Sequence, residues 1–242
     1  GHYLEFDQGE LNIKKWYFFE EEIKKYTKVK LSYLDAKKEK KDKGFYANTT
    51  FPKRPKKIKA KVDERVAKAT EERGVFVVIT GNGKGKSTSG FGTVLRAIGH
   101  GQKAGVVQFI KGSKWECGEM NILKQFPIQH HVMGTGFTWE TQSTETDIAA
   151  AKIAWKKSKE MLSDETLSIV LLDEMTYMVK YGYIELDEII EALNNRPTMQ
   201  HVIITGRACH RRLIELADTV SEVQPIKHAF KAGVKAQKGL DW

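Results

Sequence analysis

The residues with the clearest chemistry are Thr80-Gly81-Asn82-Gly83-Lys84-Gly85-Lys86-Ser87. They follow the apolar run Val75-Phe76-Val77-Val78-Ile79 and precede a stretch with helical spacing, so they read as strand, glycine turn and helix N-terminus. Glycines let successive backbone N–H groups turn around an anion, a helix N-terminus adds unpaired donors, and Lys86 adds a full positive charge. Asn82, Gly83, Lys84, Gly85, Lys86, Ser87 and Thr88 are therefore the expected phosphate ligands, with the Ser87 hydroxyl facing Mg2+. The usual pattern puts its first glycine where Thr80 stands; here it comes at Gly81, and the loop is one residue short. The competing reading, a Gly/Lys-rich surface turn, does not explain why strand, loop and hydroxyl occur in this order.

Asp173 and Glu174 end the apolar run Leu167 to Leu172, where a second magnesium-holding carboxylate is expected. The alternative is that both cap the following helix. Arg207 follows a later strand and Arg96 lies in the helix after the loop; each could grip phosphate or ribose oxygens with its planar fork, or form a surface ion pair. Phe137 and Trp139 stand at alternate positions of a glycine-flanked loop, either as anchors beneath it or as a wall against a large flat ligand. None of the seven histidines has metal-ligand spacing with a partner, and the pair His130-His131 reads as structural.

These groups must be positioned by alternating strands and helices. Strands are expected at 75–79, 104–110, around 130–133, at 167–172, 201–205 and 219–223. Helices are expected at 86–99, 116–125, 144–162, 186–194 and 209–217. Strands apolar on both faces imply an α/β fold, a mostly parallel sheet of about six strands with helices on both faces. Ligands bind such sheets at the carboxyl ends of the strands, where the candidate residues fall. Ile58, Val62, Val66 and Ala69 predict an amphipathic helix over 58–73, stopped by Gly74. The expected organisation is a basic, aromatic-containing arm and linker at 1–57, that helix at 58–73, and the phosphate-loop domain at 74–242.

The chain has 242 residues and a formal charge of +9, yet residues 1 to 60 carry 16 Lys and Arg against 9 Asp and Glu, a net of +7. The excess therefore sits in the arm and not around the phosphate loop. A basic arm with interleaved aromatics could bind nucleic acid, or be a solvated arm or lid. Cys117 and Cys209 lack zinc or redox spacing, and no run approaches a membrane span, so a cytoplasmic location is expected.

Taken together, Gly81 to Ser87, Val107-Gln108-Phe109-Ile110-Lys111-Gly112, Thr135 to Thr141, Leu172-Asp173-Glu174 and Lys227-His228-Ala229-Phe230 resemble the ATP:corrinoid adenosyltransferases of the bacterial cobalamin pathway. The similarity runs from about Ile58 to Trp242 and leaves the arm outside. It implies a RecA-like P-loop fold, a homodimer, ATP with Mg2+, a corrinoid substrate and a cob(I)yrinic acid a,c-diamide adenosyltransferase type of activity. An electron-donor protein such as a flavodoxin is implied as a partner. By matching positions, Asn82 to Ser87 would hold the triphosphate with ATP reversed relative to ordinary P-loop enzymes. Ser87 and Glu174, with Asp173 beside it, would hold the metal. Phe137 and Trp139 would displace the lower cobalt ligand, and the helix 58–73 would close over the corrinoid. Ser87 stands where the family usually has threonine. The second function kept open is a RecA-like ATPase acting on nucleic acid through the arm.

Overall fold

The computed structural model describes residues 2–7, 10–15, 56–112, 117–134 and 144–241. The chain forms two compact units, Gly1–Thr70 and Glu71–Trp242. In the first, β1 (His2–Asp7) and β2 (Glu10–Lys15) pair antiparallel, with Leu4 opposite Ile13 and Phe6 opposite Leu11. This hairpin is not what a lysine-rich arm leads one to expect. Its signal is the period-two spacing of Leu4 and Phe6, matched by Leu11 and Ile13.

Helix α1 (Lys56–Lys68) ends short of the expected Arg73. The residues after Thr70 are committed to the second unit. Gly74 donates its N–H to Thr198 O at 2.6 Å, and a Cβ there would stand 2.1 Å from Gln200 O. Gly74 is thus a point of close backbone approach and not a helix stop. Arg73 Nη2 donates to Asp218 Oδ1 at 2.6 Å, and Asp218 Oδ2 accepts the Phe76 N–H at 2.8 Å.

These bonds, that of Arg73 foremost, hold the Asp218 carboxyl down at about 2. An acid with a folded pKa below its unfolded value of about 3.9 stabilises the fold above that value and loses the contribution as pH falls through the folded value. Acid unfolding should therefore contain a component between about pH 4 and 2 that Asp218→Asn removes. A stability profile unchanged in that window would show that the clamp carries no folding energy.

The second unit is built on six parallel strands: β3 (Phe76–Thr80), β4 (Ala104–Gly112), β5 (Ile128–Gly134), β6 (Ile169–Asp173), β7 (His201–Thr205) and β8 (Thr219–Glu222). Their spatial order is β5-β4-β6-β7-β3-β8. Strand β7 therefore separates β3, which feeds the phosphate loop, from β6, which ends in the carboxylates. Helices α2 (Lys86–Gly99), α3 (Gly118–Leu123), α4 (Thr144–Leu162), α5 (Thr176–Lys180), α6 (Leu186–Asn194) and α7 (Arg211–Leu216) surround the sheet. This is the expected α/β, RecA-like arrangement.

Period-two alternation divides the strand residues between two cores. Val107, Phe109, Val170, Leu172, Val202 and Ile204 pack with Trp155 and Leu162 of α4 and Ile189 and Leu193 of α6. On the opposite face Val106, Ile169, Leu171 and Ile203 pack with Phe91 and Val94 of α2 and Leu123 of α3. Both faces are covered at β3, β4, β6 and β7, which is why these strands read as nearly unbroken apolar runs. Each fully buried Val, Leu or Ile contributes roughly 1.5–3 kcal/mol. Helix α2 approaches the sheet closely through Gly90, where a Cβ would meet Leu171 Cδ1 at 2.8 Å and Thr205 Cγ2 at 3.2 Å.

Candidate active site

Because all the strands run the same way, the carboxyl ends of β3, β4, β6 and β7 share one edge, and there they border a cleft of about 1180 Å³. Three non-glycine residues among those described have positive φ: Ile110 (60°), Glu174 (59°) and Ala208 (50°). They stand at the ends of β4, β6 and β7. Such backbone costs roughly 1–3 kcal/mol per residue and is held only where the surroundings fix it.

The glycines of the phosphate loop have separate duties. A Cβ at Gly81 (φ 101°) would lie 2.5 Å from Val223 O, and one at Gly83 would lie 2.8 Å from the same oxygen. Gly83 also donates its N–H to Val223 O at 2.7 Å. These two glycines let the loop lie against the exit of β8, and the Gly83 amide is engaged there. Gly85 (φ 116°) has open space where a Cβ would be and stands at the N-cap of α2. The first helical N–H groups, from Lys86, Ser87 and Thr88, have no intrahelical acceptor and border the cleft. Gly81→Ala should therefore cost roughly 2 kcal/mol or more of unfolding free energy. Gly85→Ala carries the positive-φ strain without the clash, so it should cost roughly 1 kcal/mol or more but less than Gly81→Ala, and it should weaken ATP binding. Equal stability losses would refute this division.

Lys86 is buried at 6% exposure, and its Nζ donates to Gly83 O at 2.8 Å. Burial lowers its pKa, while Glu174 acts in the opposite sense. Asp173 is fully buried; its Oδ1 accepts from Thr205 Oγ1 at 2.7 Å, and its Oδ2 has no partner among the described residues. Thr205 Oγ1 also accepts the Glu174 N–H at 3.0 Å, and Glu174 Oε2 is likewise buried without a partner among the described residues. Burial first, then Asp173, raises the Glu174 pKa. Helix α5 begins after these residues with no side-chain cap, so neither carboxylate serves the alternative capping role.

Arg207 borders the same cleft. The turn that presents it is fixed: Thr176 Oγ1 donates to Arg207 O at 2.8 Å, and a Cβ at Gly206 (φ 138°) would stand 2.0 Å from that hydroxyl. Arg96 is not brought to this edge. It is exposed in the last turn of α2, away from the phosphate loop. Phe137 and Trp139 lie outside the described residues.

The cleft also gathers Lys111, which the sequence places at a strand end on this edge, and further residues to which the sequence assigns no role. Lys111 reaches it at a register shift between Gln108 and Gly112 of β4. Gln108, 3% exposed, is the lone polar side chain in the run Ala104 to Ile110, a signal present in the sequence. Cys117, which the sequence presents as an ordinary thiol, borders the cleft with its pKa pushed up to about 11 by burial. From the C-terminal segment come His228, Leu240 and Asp241, and Lys84 Nζ pairs with Asp241 Oδ1 at 2.5 Å. That carboxylate competes with any anion for Lys84. Asp241→Asn should tighten ATP binding several-fold at low ionic strength, with the gain shrinking as salt is added. Weaker binding would mean that the pair shapes the loop instead.

A helix N-terminus with a buried lysine, facing paired carboxylates across the carboxyl edge of a parallel sheet, defines a P-loop nucleotide-binding protein. Within that class the chain belongs to the ATP:corrinoid adenosyltransferase family BtuR/CobO/CobP, whose family model matches residues 72–242. It is 58% identical over 192 residues, 79% of this chain and 97% of the relative, to the corrinoid adenosyltransferase of Escherichia coli K12. The identity is also 58% over 192 residues to the corrinoid adenosyltransferase of Salmonella typhimurium, covering the same shares of both chains. It is 52% over 191 residues, 78% of this chain and 94% of the relative, to that of Pseudomonas aeruginosa.

Proposed function

We infer that this chain transfers the 5′-deoxyadenosyl group of ATP to the cobalt of a corrinoid and releases triphosphate. The observation that carries the reading is the shortened phosphate loop with buried Lys86 facing Asp173 and Glu174, in a chain 58% identical to corrinoid adenosyltransferases. The reduced Co(I) centre attacks the ribose 5′-carbon with its lone pair, the carbon–oxygen bond breaks, and triphosphate leaves with the bonding electrons. No proton is removed, so no general base is required. The work of the protein is positioning and stabilisation of negative charge on the leaving group.

In this reading the phosphate loop grips that leaving group, with ATP reversed relative to ordinary P-loop enzymes. Lys86 and the N–H groups at the start of α2 meet the triphosphate; Lys84 and Arg207 border the same cleft. The buried, unpartnered oxygens Asp173 Oδ2 and Glu174 Oε2 fit a hard divalent cation, and no cluster of three or more His, Cys, Asp or Glu side chains offers an all-protein site among the described residues. Ser87, Glu174 and Asp173, with phosphate oxygens, would hold Mg2+. Bound there, the ion would neutralise charge on the leaving group. Phe137 and Trp139 are proposed to exclude the lower cobalt ligand, since neither ring donates an electron pair to metal. Without that donor the orbital that receives the electron falls in energy, and reduction to Co(I) becomes easier.

The reading includes a homodimer, an electron donor such as a flavodoxin, and a cytoplasmic reaction. None of the described helices is long and apolar enough to cross a membrane. No specific observation favours action on nucleic acid. Phosphorus NMR of spent ATP tests the chemistry. Inorganic triphosphate is expected; ADP with orthophosphate would overturn it.

Replacing both aromatics by alanine should slow turnover most when the corrinoid starts as Co(II) and the reductant is weak. An equal loss with pre-reduced Co(I) would assign Phe137 and Trp139 a role in the fold alone.

A further inference from the structure

Adenosyl transfer, as derived from this cleft, leaves one of its buried polar side chains unused. Gln108 sits in β4 directly opposite Asp173 of β6 in the parallel register. It shares strand parity with Val106, as Asp173 does with Leu171, so both side chains belong to the face covered by α2, the helix that begins at the phosphate loop. A glutamine in an otherwise apolar strand, 3% exposed, costs free energy unless its amide is satisfied. One end is partnered: Gln108 Oε1 lies 3.2 Å from His130 Nε2 of β5, a hydrogen bond when the ring carries its proton on Nε2. The other end, Nε2, is not among the buried side-chain atoms left without a partner, and Gln108 borders the cleft, so this donor is open to it. Nε2 is donor only, and the cleft that Gln108 borders is lined by Lys86, Lys111 and Arg207, which gather an anion, as well as by Asp173 and Glu174.

We propose that Gln108 is a ligand of the nucleotide's triphosphate, donating from Nε2 to a phosphate oxygen, and that His130 is the positioning residue that fixes the amide with its nitrogen toward the cleft. The proposal rests on the reading that the triphosphate lies on the phosphate loop. His130 suits that role, because burial holds its pKa down at about 4, so it is neutral at working pH and orients the amide without adding a charge. Without the ring, the amide is free to turn its oxygen toward the anion. The bulge that follows Gln108, with Ile110 at φ 60°, ends the regular pairing of β4 and β5 just past this residue.

The test is calorimetric titration of the full chain with sodium triphosphate and Mg2+, with corrinoid absent. Gln108→Leu conserves volume and should raise the triphosphate Kd about tenfold or more, the range for a lost hydrogen bond to a charged group. His130→Phe, which leaves Gln108 in place, should raise it several-fold. The double variant should bind no worse than Gln108→Leu alone, because the ring acts only through the amide. A purely structural role predicts unchanged Kd in variants with wild-type melting temperature. Lys86→Ala is the control for the underlying reading. If Lys86→Ala loses triphosphate while Gln108→Leu binds within twofold of wild type, the proposal is overturned and the reading stands. If Lys86→Ala also binds like wild type, the placement of triphosphate on the loop fails first, and the proposal fails with it. Should Gln108→Leu not fold, His130→Phe decides, and wild-type affinity there overturns the proposal.

Discussion

Lys86→Ala should reduce single-turnover adenosylation of pre-reduced Co(I) by roughly a hundredfold to a thousandfold, the loss typical of removing one preorganised donor from a developing anion. Lys86 carries a full charge, so the upper end is expected. The Nζ hydrogen bond to Gly83 O is buried, so the substitution also removes that carbonyl's donor, and the melting temperature of the variant is read beside its rate. Burial already lowers the Lys86 pKa, so the ammonium ion is less well solvated than a surface lysine and has more to gain from an arriving anion. Stopped-flow decay of the Co(I) absorbance measures the step directly. A loss below tenfold, in protein with wild-type melting temperature, would mean that backbone amides and the metal carry the leaving group without the lysine.

Glu174→Gln should separate stability from function. Burial and the neighbouring Asp173 raise the pKa of Glu174. For an acid with a folded pKa above its unfolded value of about 4.3, the favourable contribution is full below that value and is lost as pH rises through the folded pKa. Above that range the buried Glu174 carboxyl therefore works against folding until a cation meets it. Glu174→Gln should raise the melting temperature in the presence of a chelator and abolish most of the further gain that Mg2+ with ATP gives the wild type. Turnover should fall about a hundredfold. Thermal unfolding with and without Mg·ATP checks both halves. A glutamine variant that melts lower in chelator and keeps its Mg2+ response would remove Glu174 from the metal site.

The parts of this molecule that are legible in the sequence are those fixed by local periodicity. Helices α2, α4 and α6 span 86–99, 144–162 and 186–194, the ranges that apolar spacing predicts. Strands β3, β4, β6 and β7 are legible because both faces of the sheet are covered there, whereas β5 is mostly half-buried and β8 is exposed throughout. Helix α5 is not, since it is a single turn after the carboxylates whose apolar residues give no full period. The end of α1 departs from the expected one because Gly74 serves a contact with Gln200 that no local pattern records.

The site divides in the same way. Lys86, Asp173 and Arg207 lie at or just past strand ends, and a parallel sheet carries those ends to one edge, so their meeting could be expected. Arg96 shows the opposite case. It is close to the loop in sequence, but about ten residues of helix at about 1.5 Å each take it about 15 Å along the axis. Asp241 reaches Lys84 across a separation of 157 residues, and His130 reaches Gln108 from a neighbouring strand. Such pairings depend on tertiary register. Once the register is known, the glycines also change meaning: Gly81 and Gly83 serve backbone contact with Val223, and Gly85 alone keeps the entrance to α2 open.

The most direct test of adenosyl transfer is an anaerobic reaction of the full chain with chemically reduced cobalamin, ATP and Mg2+, following Co(I) consumption and products together. One light-sensitive adenosylated corrinoid and one inorganic triphosphate are expected for each Co(I) consumed. ATP cleaved to ADP and phosphate while Co(I) persists would contradict adenosyl transfer.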